Sequence, residues 1–140
     1  MAEGTARKPI RSYEDIEAYQ RAMKLVAEVH GLVKAFPAYE TYDLSAQMRR
    51  AAKSVPANIA EGYARRSSVK EFKNYLRMAM GSANEMEVHL RIAMDLGYPG
   101  SEQMSSCAAE YGIVGRQLNR LITSWRQLQP PTPSVQRRGE

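Results

Sequence analysis

Apolar residues recur at alternating steps of three and four along three long stretches of the chain, a period that belongs to one face of an α-helix. The first stripe runs through Ile16, Tyr19, Met23, Val26, His30 and Val33. Another runs from Phe72 through Leu76, Ala79, Ala83, Met86, Leu90 and Ala93 to Gly97, and a last one from Met104 through Cys107, Tyr111, Val114, Leu118, Leu121 and Trp125 to Leu128. Heptad seams of this length close up-and-down helical bundles. No segment alternates with period two between turn dipeptides, so no strands are expected. With a less regular helix between the first two stripes, the pattern predicts an all-α fold, an antiparallel up-and-down four-helix bundle. Its helices are expected over about 13–36, 43–66, 68–96 and 101–128.

Polar and turn residues punctuate the same boundaries. The stretch FPAYETYD ends in Asp43, a residue type that caps helices, and Ser68 with Glu71 has the spacing of a capping box. LGYPGS ends the third helix, with Gly97 suited to a left-handed cap and Pro99 unable to continue. One domain is expected over 13–128, with a flexible N-terminus over 1–12 and a disordered, proline-rich tail, QPPTPSVQRRGE, over 129–140.

The irregular second helix reads RRAAKSVPANIAEGYARRSS over residues 49–68. Its seam begins with Leu44, Met48, Ala51 and Val55, but the next heptad position is Asn58 and the apolar residue has slipped to Ile59. Pro56 stands just before the slip. A proline inside a helix deletes one backbone bond and crowds the carbonyl four residues earlier, so a kink is expected near Ala52. The kink re-aims the stripe, with Ile59 and Tyr63 continuing the core and Asn58 bordering it.

Two helices carry more apolar surface than one bundle face uses. Leu25, Val29, Leu32 and Phe36 widen the arc of the first helix, and Met78, Val88, Ile92 and Leu96 form a second patch on the third. These surplus stripes predict a homo-oligomer.

Composition narrows the function. The 140 residues are 44% hydrophobic and 25% charged, ordinary for a folded domain. No apolar run approaches the roughly 20 residues that cross a bilayer, and the opening MAEGTARKPI lacks an apolar signal core. A cytoplasmic protein without membrane contact is therefore expected. The single cysteine, Cys107, excludes an internal disulfide and reads as a buried thiol on its seam. Of the two histidines, His30 and His89, neither follows a glutamate by three residues as in di-iron bundles. Glu85 and His89 stand one turn apart, which reads as a surface contact because stable metal sites need three or four ligands. With no catalytic constellation, the expectation is a non-enzyme with no cofactor and no metal. Glu87, at the edge of the Phe72 stripe, is expected to pair with Arg49 or Arg50, since an ionised group there needs a partner.

Charge is unevenly spread. Residues 49–77 hold Arg49, Arg50, Lys53, Arg65, Arg66, Lys70, Lys73 and Arg77 against Glu61 and Glu71, a net +6 in a chain of net +5. These eight cations are the candidate nucleic-acid-binding residues, attracting RNA or DNA phosphates without reading sequence. Tyr63 and Tyr75 either stack on bases or pack in the bundle. The competing reading is an adaptor whose basic hairpin docks an acidic protein partner, such as a reverse transcriptase, with no direct nucleic-acid contact.

SVPANIAEGYARRS and EFKNYLRMAMGSANEMEVHLRIAMDLGY resemble the bacterial four-helix-bundle proteins encoded in intervening sequences of 23S ribosomal RNA genes. The family's S-V/I-P-A-N-I-A-E-G run falls at residues 54–62, its G-S-x-x-E-x-E element at 81–87, and its usual start at YEDIEAYQ, residues 13–20, where a tryptophan often stands in place of Tyr19. The chain is also similar to the accessory protein of diversity-generating retroelements. The resemblance implies a ring-like homopentamer of four-helix protomers, and the second likeness implies binding of nucleic acid and a reverse transcriptase. Within the SVPANIAEG run, Pro56, Asn58, Glu61 and Gly62, with Glu87 beyond it, are read as architectural.

Overall fold

Ser12 starts the first turn by capping it. In the computed structural model, which describes residues 9–128 and the side chains as far as Trp125, Ser12 Oγ accepts from the Glu14 amide at 3.2 Å and Asp15 Oδ2 accepts from the Ser12 amide at 3.1 Å. This reciprocal arrangement builds a one-turn 3-10 helix, Tyr13–Asp15, ahead of α1, Glu17–Val33. Then follow a second 3-10 turn, Ala38–Glu40, and the helices α2, Leu44–Ala64, α3, Val69–Asp95, and α4, Ser101–Leu128. Among the described residues there is no strand. Helix α2 packs on α3, α3 on α4, and α1 against both α2 and α4, the square arrangement of an up-and-down four-helix bundle. The tail over 129–140 and residues 1–8 lie outside the described residues.

The caps explain where the helices stop and in one case differ from expectation. Asp43 occupies the N-cap of α2 but its side chain bonds no helical amide, because Asp43 Oδ1 accepts from Gln47 Nε2 at 3.0 Å. Buried Glu40 supplies the acceptor instead, its Oε1 taking the Leu44 amide at 3.1 Å. The other Glu40 oxygen accepts from Tyr98 Oη, which ties the α1–α2 connection to the α3–α4 connection. At α3, Ser68 Oγ accepts from the Glu71 amide at 3.1 Å. The C-terminus of α3 is a Schellman motif: Gly97 at φ +77° donates to Met94 O at 3.0 Å and Tyr98 N–H to Ala93 O at 3.1 Å.

The core shows which face of each helix turns inward. On α3 every residue of the stripe from Phe72 to Ala93 is fully buried. On α1 the inward face is Ala18, Ala22, Leu25, Val29 and Val33, while Tyr19, Val26 and His30 sit half-buried at the rim and Met23 is 47% exposed. The expected α1 seam is thus rotated by most of a quadrant, and Leu25, Val29 and Phe36, expected as surplus, belong to the core. Two alanines cause this. They contribute little to an apolar stripe read by size, yet their short side chains let α1 approach the bundle closely. Near the end of α4 the core passes from Leu118 to Ile122, with Leu121 only partly buried and Trp125 resuming the seam.

Helix α2 runs unbroken through Pro56, which is buried. Past it, Ile59 is fully buried and Tyr63 is 7% exposed, so the core does follow the slip. Asn58 borders the core and bonds back, its Nδ2 donating to Ser54 O at 2.9 Å and Ser54 Oγ at 3.0 Å. Ser54 Oγ in turn meets Ser82 Oγ of α3 at 2.8 Å. A small polar relay therefore staples α2 to α3 at the level of the proline. One end of the bundle is closed by edge-on contacts among Tyr63, Phe72 and Trp125, with the Phe72 and Trp125 centroids 4.6 Å apart.

Candidate nucleic-acid interface

The eight expected cations do not gather into one patch. Arg65, Arg66 and Lys70 stand at the turn from α2 to α3, while Arg50 and Lys53 lie 12 to 15 residues back along α2, roughly 20 Å away at the α-helical rise. Lys73 stands nine residues from Ser82, which is about 180° around α3 from the flank that bonds α2. It therefore faces away from Arg50 and Lys53.

Several cations are already engaged. Arg65 donates to Glu61 at 2.8 Å, lies 3.6 Å from Glu71 and covers the half-buried ring of Tyr75 with its guanidinium 5.5 Å from the centroid. The bond to Glu61, then the charges around it, hold the Arg65 pKa above its ordinary value. Arg66 bonds the Tyr63 carbonyl at 2.9 Å and stacks 4.1 Å over the Tyr63 ring, finishing the C-terminus of α2. Arg49 donates to Thr41 O at 3.0 Å and Arg77 to Asn74 Oδ1 at 3.1 Å. The side chains of Arg50, Lys53, Lys70 and Lys73 have no hydrogen-bonding or ionic partner among the described residues. Tyr63 packs in the core and is no stacking platform.

A profile of the 23S rRNA-intervening sequence protein family matches residues 14–120, more than three quarters of the chain. The chain belongs to that family. A search of curated proteins finds no match. The likeness to the accessory protein of diversity-generating retroelements has no counterpart in these findings.

In this 23S rRNA-intervening sequence protein family member the SVPANIAEG run is packing chemistry. A β-carbon at Gly62 would stand 2.7 Å from Tyr75 Cβ and 3.2 Å from the Phe72 carbonyl oxygen, so only glycine lets α2 and α3 approach this closely beside the turn. Pro56 and Asn58 set the register and its staple, and Glu61 holds Arg65. The second motif behaves differently from expectation. Glu87 is half-buried but pairs with neither Arg49 nor Arg50; Arg49 turns to the Thr41 carbonyl, and Glu87 is left between the partly buried Met80 and Met94 on its flank of α3. Enough solvent reaches the Glu87 carboxylate that a buried partner is unnecessary. Glu85 and His89 do touch, at 3.0 Å, yet His89 is only 7% exposed, so the contact is a buried one for the histidine.

Cys107 is buried as expected, and burial, reinforced by Glu28 and Glu110, pushes its thiol up to about 12. Burial likewise raises the neighbouring Tyr111 hydroxyl far above its ordinary value. Among the described residues no three metal-ligating side chains converge, and no helix is long and apolar enough to cross a membrane. What sequence reasoning missed is a contribution from α1: His30 and Lys34, one turn apart, line a cavity of about 460 Å³ together with Arg49. The i to i+4 spacing of two basic residues was the available signal, but nothing in the sequence directs it at Arg49.

Proposed function

We propose that this protein is a non-enzymatic, cytoplasmic, homo-oligomeric scaffold that contacts the phosphate backbone of RNA or DNA through Arg50, Lys53, Lys70 and Lys73. The observation that carries the reading is their freedom. Arg65 and Arg66 engage Glu61, Glu71 and the Tyr63 carbonyl, whereas the side chains of these four have no partner among the described residues. Because they are spread over two helices and more than one flank, a single protomer offers shallow, sequence-indifferent contacts, and repetition around an oligomer supplies avidity. The exposed apolar row Met78, Val88, Ile92 and Leu96 on α3 supports the self-association this reading needs. The test is fluorescence anisotropy of a labelled single-stranded RNA, and of the same sequence as DNA, from about 50 to 200 mM salt. Affinity should fall steeply with salt and drop again in the triple variant Lys53→Gln, Lys70→Gln, Lys73→Gln. Binding that ignores salt overturns the phosphate mechanism.

A further inference from the structure

The cavity between the end of α1 and the start of α2 carries an excess of positive charge on its walls. His30, Lys34 and Arg49 line it with the hydroxyl residues Thr41 and Ser45, over a floor that includes buried Phe36. Among the described residues no carboxylate lines it. The two acidic side chains of the adjoining connection are occupied elsewhere: Glu40 by the Leu44 amide and Tyr98 Oη, Asp43 by Gln47 Nε2. The donors are also held in place. Arg49 spends one N–H on the Thr41 carbonyl at 3.0 Å, which fixes the guanidinium and leaves its other donors free. His30 Nδ1 is 2.8 Å from the Val26 carbonyl, a contact that requires an N–H there and leaves Nε2 as the ring atom with no partner among the described residues. Finally, the N-cap residue Asp43 bonds no backbone amide of α2 and Glu40 takes only that of Leu44, so the Ser45 amide adds a first-turn donor beside the same space.

Three cationic or protonatable side chains, two hydroxyls and the Ser45 amide around one cavity match the chemistry of a tetrahedral oxyanion. We propose that this cavity binds a phosphoryl group, either as free phosphate or as the terminal phosphate of a nucleic acid. A phosphate offers oxygens in several directions to a fixed guanidinium, an ammonium and hydroxyl donors at once, and charge-assisted bonds to it are the strong ones. A volume of about 460 Å³ exceeds what a bare phosphate fills and leaves room for the group that carries it. The site shares only Arg49 with the cations expected from sequence, and it stands whether or not Arg50, Lys53, Lys70 and Lys73 touch nucleic acid.

The test uses the full chain and sodium phosphate as probe, read by isothermal calorimetry and by the NMR shifts of the His30 ring. Saturable binding that moves the His30 resonances is expected. Lys34→Gln and Arg49→Gln should each weaken it by roughly tenfold, the effect of losing one charge-assisted bond, while Arg50→Gln leaves it unchanged. The Lys34 side chain has no hydrogen-bonding or ionic partner among the described residues, so its variant keeps the fold even where Arg49→Gln loosens the Thr41 turn. Competition by a 5′-phosphorylated decanucleotide but not its 5′-hydroxyl counterpart assigns the terminal phosphate; competition by neither assigns free phosphate. Absence of saturable phosphate binding, or binding that Lys34→Gln leaves intact, overturns the proposal. Neither result touches the salt-dependent RNA binding tested by the Lys53, Lys70 and Lys73 variant.

Discussion

Gly62 shows how much one residue decides here. With a methyl group 2.7 Å from Tyr75 Cβ and 3.2 Å from a backbone carbonyl, Gly62→Ala cannot be absorbed by a flexible side-chain tip. The turn between α2 and α3 has to open. Overpacking of this sort costs about 1–3 kcal/mol, and urea denaturation should show that loss, whereas Ala57→Ser on the exposed face of α2 should leave the midpoint unchanged. Cys107 allows a prediction in pH. Its folded thiol stays protonated up to about 12, whereas an unfolded thiol ionises near 8.5. The unfolded chain therefore releases a proton first as pH rises, and the stability tied to this group is complete below about 8.5 and drains away towards the folded value. Between pH 7.5 and 9.5 the parent should lose about 1 kcal/mol more than Cys107→Ala does. Equal slopes in the two proteins would remove Cys107 from the account. The native thiol should also resist alkylation until the chain unfolds.

At the scale of elements, the legible parts were those where local chemistry alone decides. The α3 stripe, the Schellman turn at Gly97 and the slip from Val55 to Ile59 follow from period and residue type, and each is present. The inward face of α1 was not legible, because its arc is broad and its centre is set by Ala18 and Ala22, whose value lies in what they let approach. The α2 cap was missed for another reason. Asp43 has the right residue type, but tertiary structure brings Glu40 to the Leu44 amide and Tyr98 holds Glu40 there. The Ser54, Asn58 and Ser82 relay was likewise invisible as a unit, since it joins residues 28 apart. It accompanies the proline, whose missing N–H leaves the Ala52 carbonyl without its usual helical partner. Ser82→Ala breaks the inter-helix link and leaves the Ser54 and Asn58 bonds in place, so a loss of about 1 kcal/mol is expected. Asn58→Ala in that background should cost less than in the parent if the three act together. Additive losses in the double-mutant cycle would show that the relay has no cooperative part.

For the whole molecule, what a single chain leaves uncovered matters most. Met78, Val88, Ile92 and Leu96 are 55%, 58%, 41% and 55% exposed, and they share the outer face of α3. Full burial of such side chains stabilises by about 1.5–3 kcal/mol each, so covering these half-exposed ones yields about 1 kcal/mol apiece, or roughly 4 kcal/mol per protomer. Two such faces together give about 8 kcal/mol, which lies within the range of about 4–15 kcal/mol that association costs in lost motion. The row alone therefore sets where copies meet without guaranteeing tight assembly, and neighbouring surface must contribute. Ile92 is the member most nearly covered already and stands one turn from both Val88 and Leu96. Ile92→Glu puts a carboxylate where burial would strip its water, a cost of several kcal/mol for an unpaired charge. Sedimentation velocity at micromolar concentration should find an oligomer for the parent and a monomer of unchanged helicity for Ile92→Glu. Arg120→Glu on exposed α4 introduces the same carboxylate away from that row and should leave the assembly intact. A monomeric parent, or an oligomer that tolerates Ile92→Glu, would separate this apolar face from self-association and take with it the avidity that weak, scattered phosphate contacts require.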